Sequence, residues 1–333
     1  MWELPDLPVT WRPKRLVIVT SGGDAPGMNA AIRAVVRTAL GHGIDVLGSD
    51  RGYTGLVEDE LQPMGLSSVG NILHRGGTIL RSDRSEAFHR PEVRARVAEQ
   101  LRARNVEGLV IIGGDGSLTG AHLLCLETGL PVIGLPGTID NDIFGTEDTI
   151  GFDTAVNTGL EAIDRIRDTA HSHQRVFLVE VMGRSSGFLA VAVGIAGGAE
   201  HILLPDMEPD VDALVESLAI SKQRGKTSSL IVVAEGHDDQ LTPRLAKQLS
   251  NRGHQARACI LGHIQRGGSP TGHDRILASS LGASAVDHLC AGYSDVMLGV
   301  HSGRICTIAL SDVISRRKPI PDGALDLARM LSA

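Results

Sequence analysis

Three short apolar runs constrain this chain more than any other feature. Residues 15–20 (RLVIVT), 108–112 (GLVII) and 130–135 (LPVIGL) each end abruptly in a turn rich in glycine or proline. The turns are Ser21-Gly22-Gly23-Asp24-Ala25-Pro26-Gly27, Gly113-Gly114-Asp115-Gly116-Ser117 and Pro136-Gly137-Thr138-Ile139-Asp140-Asn141-Asp142. Apolar runs this short, without polar alternation, read as strands buried on both faces. Helical periodicity follows the first turn to about residue 42 and the second to about residue 127. Strand, tight turn and helix in repetition specify an α/β protein with mainly parallel sheets.

The alternation continues along the chain. Further strands are expected at 44–47, 176–181, 201–204, 229–235, 257–261 and 304–310. Helices are expected at 91–104, 152–169, 211–224, 243–252 and 274–289, with a glycine-rich helix ending near 198. At 333 residues the chain accommodates two lobes. Residues 1–14 read as an extension, either a loose tail or an arm whose indoles, Trp2 and Trp11, dock on the body or on a neighbour. A first lobe spans 15–150 with part of the C-terminal region, a second spans 151–310, and 311–333 form a C-terminal helical segment.

Forty glycines match the many strand-to-helix turns. The net charge of −7 argues against general nucleic-acid or anionic-membrane binding. Four widely spaced cysteines, without a paired motif, read as reduced thiols of a cytoplasmic protein. Neither a membrane span nor a signal peptide is visible.

The turns carry the chemistry. A glycine loop between a strand and a helix N-terminus offers backbone amides and the positive end of the helix dipole to phosphate. The first turn is neither a Walker A loop nor a G-x-G-x-x-G fingerprint. The second adds Asp115, a carboxylate able to hold a metal on a phosphate. The third places a hydroxyl, two carboxylates and an amide within five residues; it reads as a polar turn with local hydrogen bonds or as a site. A basic cluster, Arg75, Arg81, Arg84 and Arg90, accompanies Gly76-Gly77. Later strand ends bring Arg175, Arg184, Glu235, Arg257, His263 and Arg266, a set suited to a phosphorylated, hydroxyl-rich small molecule.

With these motifs in order, the sequence resembles the bacterial ATP-dependent 6-phosphofructokinases from about residue 15 to 330. The resemblance rests on Thr20-Ser21-Gly22-Gly23-Asp24-Ala25-Pro26-Gly27-Met28-Asn29-Ala30, on the turns at 113–117 and 136–142, on Val181-Met182-Gly183-Arg184, and on 262–268. It implies two Rossmann-like lobes with the active site in a cleft at strand C-terminal ends. It also implies transfer of the ATP γ-phosphoryl to the 1-hydroxyl of fructose 6-phosphate, an early step of glycolysis, in a cytoplasmic homotetramer. In it Asp140 is the base, Thr138 holds the transferring phosphoryl, and Arg184 steadies its charge. Asp115 binds Mg²⁺ and Asp142 lies near that metal. Gly23, Arg84, Ser85, Gly114, Gly116 and Ser117 fall in the ATP site. Ile139, Met182, Gly183, Glu235, Ile264 and Gln265 line the sugar. Arg175, Arg257, His263 and Arg266 grip the sugar or its 6-phosphate, with Arg175 and Arg257 coming from a neighbouring subunit.

Pyrophosphate-dependent relatives carry Asp at the position of Gly116 and Lys at that of Gly137. Glycine at both favours ATP here. Asp50 stands where an adenine-packing Tyr is common, Ser85 where an aromatic is common, and Arg81 where a small residue is usual. Hydrogen bonding from Asp50 to a base amino group is an expectation of this pattern. Arg33, Arg37, Arg167, Glu200, Arg224 and Lys226 match residues that bind ADP or phosphoenolpyruvate between subunits. Glu60 replaces a cation there, so weakened allostery is expected. The rival readings are a pyrophosphate-dependent phosphofructokinase, a lipid or dinucleotide kinase, a catalytically inactive sensor, and a two-lobed solute-binding protein. The intact Asp115, Asp140 and Arg184 argue against the inactive sensor.

Overall fold

The computed structural model describes residues 2–205, 207–236, 238 and 240–331. In chain order the elements are β1 (Arg15–Ser21), α1 (Met28–Gly41), β2 (Asp45–Ser49), α2 (Tyr53–Val57), β3 (Leu61–Pro63), α3 (Pro91–Ala103), β4 (Gly108–Gly113), α4 (Asp115–Thr128) and β5 (Val132–Pro136). They continue with α5 (Phe152–His173), β6 (Val176–Val181), α6 (Phe188–Ala196), β7 (His201–Leu203), α7 (Val211–Gln223), β8 (Ser229–Ala234), α8 (Leu241–Asn251) and β9 (Ala256–Ile260). Last come α9 (Gly272–Cys290), β10 (Val296–His301), β11 (Arg304–Ala309), α10 (Leu310–Ser315) and α11 (Asp322–Leu331).

The chain divides into two units. The first comprises Met1–Ile139, Ile143–Thr154 and Arg266–Lys318, and the second Asp140–Asp142, Ala155–Gln265 and Pro319–Ala333. The expected second lobe, 151–310, thus ends earlier, because residues 266–318 pack with the first unit. Helix α9 lies along α1, close enough that a Cβ on Gly282 would stand 2.7 Å from the Ala31 carbonyl. Strands β10 and β11 extend the first sheet.

That sheet has the order β11-β10-β5-β4-β1-β2-β3. Its central strands are parallel, in register Ser21↔Gly113 and Gly113↔Pro136. β4 and β5 are buried along their whole length, as their unbroken apolar pattern requires. Both edges are antiparallel: β3 on β2 and β11 on β10. The sequence reading lacked β3 and β10. β10 is a short apolar run like any buried segment, and its place is set by pairing with β5, a partner far off in sequence.

The second unit has a parallel sheet of order β7-β8-β6-β9. Leu178, Ile231 and Val233 from this sheet share a core with Leu214 and Leu218 of α7 and Leu245 and Leu249 of α8. Each such side chain removed from water contributes about 1.5–3 kcal/mol.

The N-terminal extension docks on the first unit. Glu3 makes a parallel bridge with Arg304 and an ion pair with its guanidinium at 2.9 Å. The Trp2 ring meets His273 edge-on at 5.1 Å. Trp11 instead engages through its backbone, which donates to the Cys290 carbonyl, while its side chain stays 37% exposed.

Candidate active site

In the first sheet β1 runs to β2 on one side, whereas β4 lies on the other. The connections diverge between β1 and β4, which is where open α/β sheets leave a crevice for ligands. The two glycine turns stand there. Helices α1 and α4 begin at them, so both N-terminal dipoles reach the same place. Glycine is required by contact: a Cβ on Gly113 would lie 2.6 Å from the Ser117 hydroxyl, and one on Gly22 (φ +84°) 3.2 Å from it. Gly116 differs, since nothing lies within 4 Å of a Cβ there.

Asp115 opens α4 with its side chain reaching solvent. Partial burial pushes its carboxyl above the usual range, and Arg317 opposes the shift. Thr138, just past β5, is nearly buried and faces this turn, because a Cβ on Gly114 would lie 3.7 Å from the Thr138 Cβ. Its carbonyl accepts from the Thr149 hydroxyl at 2.6 Å. A Cβ on Gly137 would press on Ile112 at 3.0 Å, Met28 at 3.1 Å and the Gly113 nitrogen at 3.3 Å. The missing side chain at 137 therefore serves the packing of β4, β5 and α1.

Tyr53 supports the second turn from behind. Its hydroxyl donates to the Ser117 carbonyl at 2.5 Å, and its ring stacks on Phe88 at 4.1 Å. Burial drives its pKa far upward, so it remains a neutral donor. Asn29 on α1 holds the loop at 75–79: its amide donates to the Arg75 carbonyl at 3.0 Å and its oxygen accepts from the Ile79 nitrogen at 2.8 Å. Sequence reasoning gives Tyr53 only as part of a Gly/Tyr turn and Asn29 only as part of a motif, with no role for either. The partners of both are distant along the chain.

At the C-terminal end of β2, beside β1, Asp50 is held bidentately by Arg81 through Nε (2.8 Å) and Nη2. Both Asp50 oxygens thus accept from Arg81, and each keeps a further lone pair. Arg81 has φ +57° and a side chain 67% exposed. The Thr20 hydroxyl donates to its carbonyl at 2.8 Å, and Ser82 donates to the Gly22 carbonyl. Arg84 and Ser85 follow in the same segment, Arg84 exposed. Arg266 lies against the first turn, its guanidinium 3.3 Å from the Asp24 carbonyl and 2.5 Å from where a Gly23 Cβ would be.

In the second unit the parallel strands β6, β8 and β9 bring their C-terminal ends together. Met182-Gly183-Arg184 follows β6, with Gly183 at φ +138° and Arg184 at φ +50°. Glu235, after β8, fixes this turn by accepting from the Gly183 nitrogen at 3.2 Å and the Arg184 nitrogen at 2.9 Å. Gln265, expected to line the sugar, is fully buried. Its oxygen accepts from the Met182 nitrogen at 2.8 Å and its nitrogen donates to the Ala155 carbonyl at 3.2 Å. Its amide is thus engaged within the protein. Ile139 is also fully buried, whereas His263 and Ile264 are exposed. Asp140 and Asn141 are nearly buried, Asp142 is half-buried, and Asn141 has φ +50°.

Arg175 and Arg257 lie at the other end of this sheet. Arg175 precedes β6, and Arg257 pairs with Phe177 near its start. The length of β6 separates them from Arg184, about 3.3 Å per residue. A single copy of the chain therefore keeps them apart from that turn.

The residues expected to form an effector site fall in both units. Arg33 and Arg37 belong to α1 of the first unit. In the second, buried Glu200 accepts from Lys226 at 2.5 Å, and Arg167 donates to the Gly197 and Gly198 carbonyls. Arg224 caps α7. Glu60 is paired with Arg51 at 2.6 Å.

The phosphofructokinase family model matches residues 15–289. The ATP-dependent 6-phosphofructokinase 1 of Thermus thermophilus is 54% identical over 320 residues, covering 96% of this chain and 99% of that protein. The phosphofructokinase structure from Saccharomyces cerevisiae superposes with TM-score 0.84 at 37% identity, covering 91% of this chain and 45% of the yeast chain, so the present chain spans less than half of that length. A pyrophosphate-dependent phosphofructokinase from Marinobacter aquaeolei shares the fold at TM-score 0.82 with 24% identity. This chain belongs to the phosphofructokinase family.

Proposed function

We propose that the chain is an ATP-dependent 6-phosphofructokinase, transferring the ATP γ-phosphoryl to the 1-hydroxyl of fructose 6-phosphate to give fructose 1,6-bisphosphate and ADP. The observation that carries this is the 54% identity to an ATP-dependent 6-phosphofructokinase over nearly the whole chain. The first unit takes the nucleotide, its phosphates on the Gly22-Gly23 and Gly114-Asp115-Gly116-Ser117 turns. The second takes the sugar phosphate through Met182, Gly183, Arg184, Glu235 and His263. Thr138 donates to the transferring phosphoryl, Asp140 accepts the proton of the 1-hydroxyl, and Arg184 offsets the developing charge. Transfer of this kind is carried mostly by positioning and charge neutralisation.

Mg²⁺ fits the donor set. Among the described residues no group of three or more His, Cys, Asp or Glu side chains gathers as a cage. One or two carboxylates, Asp115 and Asp142, with the remaining ligands from phosphate and water, are what Mg²⁺ accepts. When bound it neutralises charge on the β- and γ-phosphates.

The base of the nucleotide falls to the Arg81–Asp50 pair. With the phosphates over β1 and β4 and the γ-phosphoryl toward Thr138 beyond β5, the order β5-β4-β1-β2 leaves the β2 end for the base. A guanidinium fixed by a carboxylate offers a flat cationic face to a purine. Arg81→Ala is expected to raise the KM for ATP about tenfold, equivalent to about 1.4 kcal/mol, with kcat nearly unchanged. Steady-state kinetics with ATP and GTP check this, and an unaltered KM removes the pair from base recognition.

Arg175 and Arg257, remote from the sugar turn in one copy, act on the sugar phosphate of a neighbouring copy in a homotetramer. Regulation by ADP or phosphoenolpyruvate is weakened, because Glu60 brings a carboxylate to that site. No helix among the described residues is long and apolar enough to cross a membrane; the enzyme acts in the cytoplasm, in glycolysis. Initial rates with ATP, GTP and pyrophosphate test the assignment as a whole. A larger kcat/KM with pyrophosphate than with ATP overturns it.

A further inference from the structure

Two non-glycine residues of the second unit hold left-handed backbone in the turns that the proposed mechanism uses: Asn141 beside Asp140, and Arg184 itself, each at φ +50°. Such conformations cost on the order of 1–3 kcal/mol and persist only where the surroundings over-determine them. Glu235 fixes the Arg184 turn from one side. Ser186 reaches both turns. Its backbone nitrogen donates to the Gly183 carbonyl at 2.7 Å, closing the turn around Arg184. Its hydroxyl donates to the Asp140 carbonyl at 2.7 Å. The same oxygen accepts from the Phe188 nitrogen at 3.4 Å, tying the arrangement to the start of α6. Ser186 is nearly buried at 7% exposure, so water does not readily replace the hydroxyl.

We propose that Ser186 is a positioning residue for phosphoryl transfer: its hydroxyl holds the backbone of Asp140 in register with the Arg184 turn. The inference rests on the mechanistic reading above. Ser186 touches no reacting atom; it fixes where the Asp140 carboxylate starts from. Misplacement of a catalytic group by a fraction of an ångström lowers turnover without weakening ground-state binding.

The test is a double-mutant cycle on the full-length enzyme with ATP and fructose 6-phosphate. Ser186→Ala removes the hydroxyl and leaves the backbone contact to Gly183. It is expected to lower kcat about tenfold with the KM for fructose 6-phosphate within about twofold. In an Asp140→Ser background, Ser186→Ala is expected to have almost no further effect, because the group it positions is gone. Wild-type kcat in the single variant overturns the proposal. So does a full additional loss in the double variant, which marks a general structural role, and so does a KM increase matching the kcat loss. Thermal unfolding of each variant runs alongside, and a loss of activity that follows loss of folded protein also counts against it. Turnover of the wild-type enzyme measures the reading of the function, whereas the ratio of variant to wild type measures the role of Ser186.

Discussion

Asp140→Ser is expected to lower kcat by about 10²–10⁴-fold while fructose 6-phosphate still binds with near-native affinity. The substitution shortens a side chain in a turn that the backbone already fixes. The Asp140 carbonyl keeps its bond from Ser186, and the adjacent left-handed Asn141 is untouched. The fold should therefore survive, and the change falls on proton acceptance. Residual activity is expected because phosphoryl transfer is dominated by alignment and charge neutralisation, which Thr138, Arg184 and the glycine turns still supply. Initial rates at saturating substrates, with sugar-phosphate binding by calorimetry, check both halves. Turnover within a few fold of wild type removes Asp140 as the base, and loss of binding with loss of turnover reassigns it to substrate affinity.

Much of this architecture is legible in sequence because it is local. β1, β4 and β5 announce themselves as short apolar runs, and the glycines that follow mark where each turns into a helix or loop. Motif spacing also singled out Asp115, Thr138, Asp140 and Arg184 as candidates. What stayed hidden depends on partners distant along the chain. The packing of α9 on α1, tight at Gly282 and Ala31, moved a block of residues from the expected second lobe to the first unit. Tyr53 under Ser117 and Ser186 beneath Asp140 have no sequence signature, because a tyrosine after Gly52 or a serine before Gly187 is ordinary loop composition. Gln265 shows the same dependence on distant partners: its place in a glycine-flanked polar motif suits ligand contact, while its amide bonds to Met182 and Ala155 within the protein.

The donor preference was attributed from sequence to two glycines, and the structure separates them. At Gly137 a side chain would press on Ile112, Met28 and the Gly113 nitrogen, so substitution there confounds chemistry with packing. Gly116 is the clean position. It is the second residue of α4, nothing lies within 4 Å of an added Cβ, and its φ is not positive. Gly116→Asp changes helix propensity by only about a few tenths of a kcal/mol, since Asp ranks just above Gly, and puts a carboxylate where the helix dipole favours it by about 0.3–1 kcal/mol. The unfolding temperature should hold or rise. The same carboxylate, next to Asp115, adds a negative charge where the nucleotide's phosphates must sit. Two unit charges 4 Å apart repel by about 4 kcal/mol at an effective dielectric near 20, and less where solvent screens them. The expected result is a fall in kcat/KM for ATP of about 10²-fold in a protein at least as stable as wild type. Stability and activity moving in opposite directions distinguishes this from damage to the fold. A kcat/KM for ATP within about twofold of wild type would show that the α4 turn is not where the nucleotide's phosphates bind.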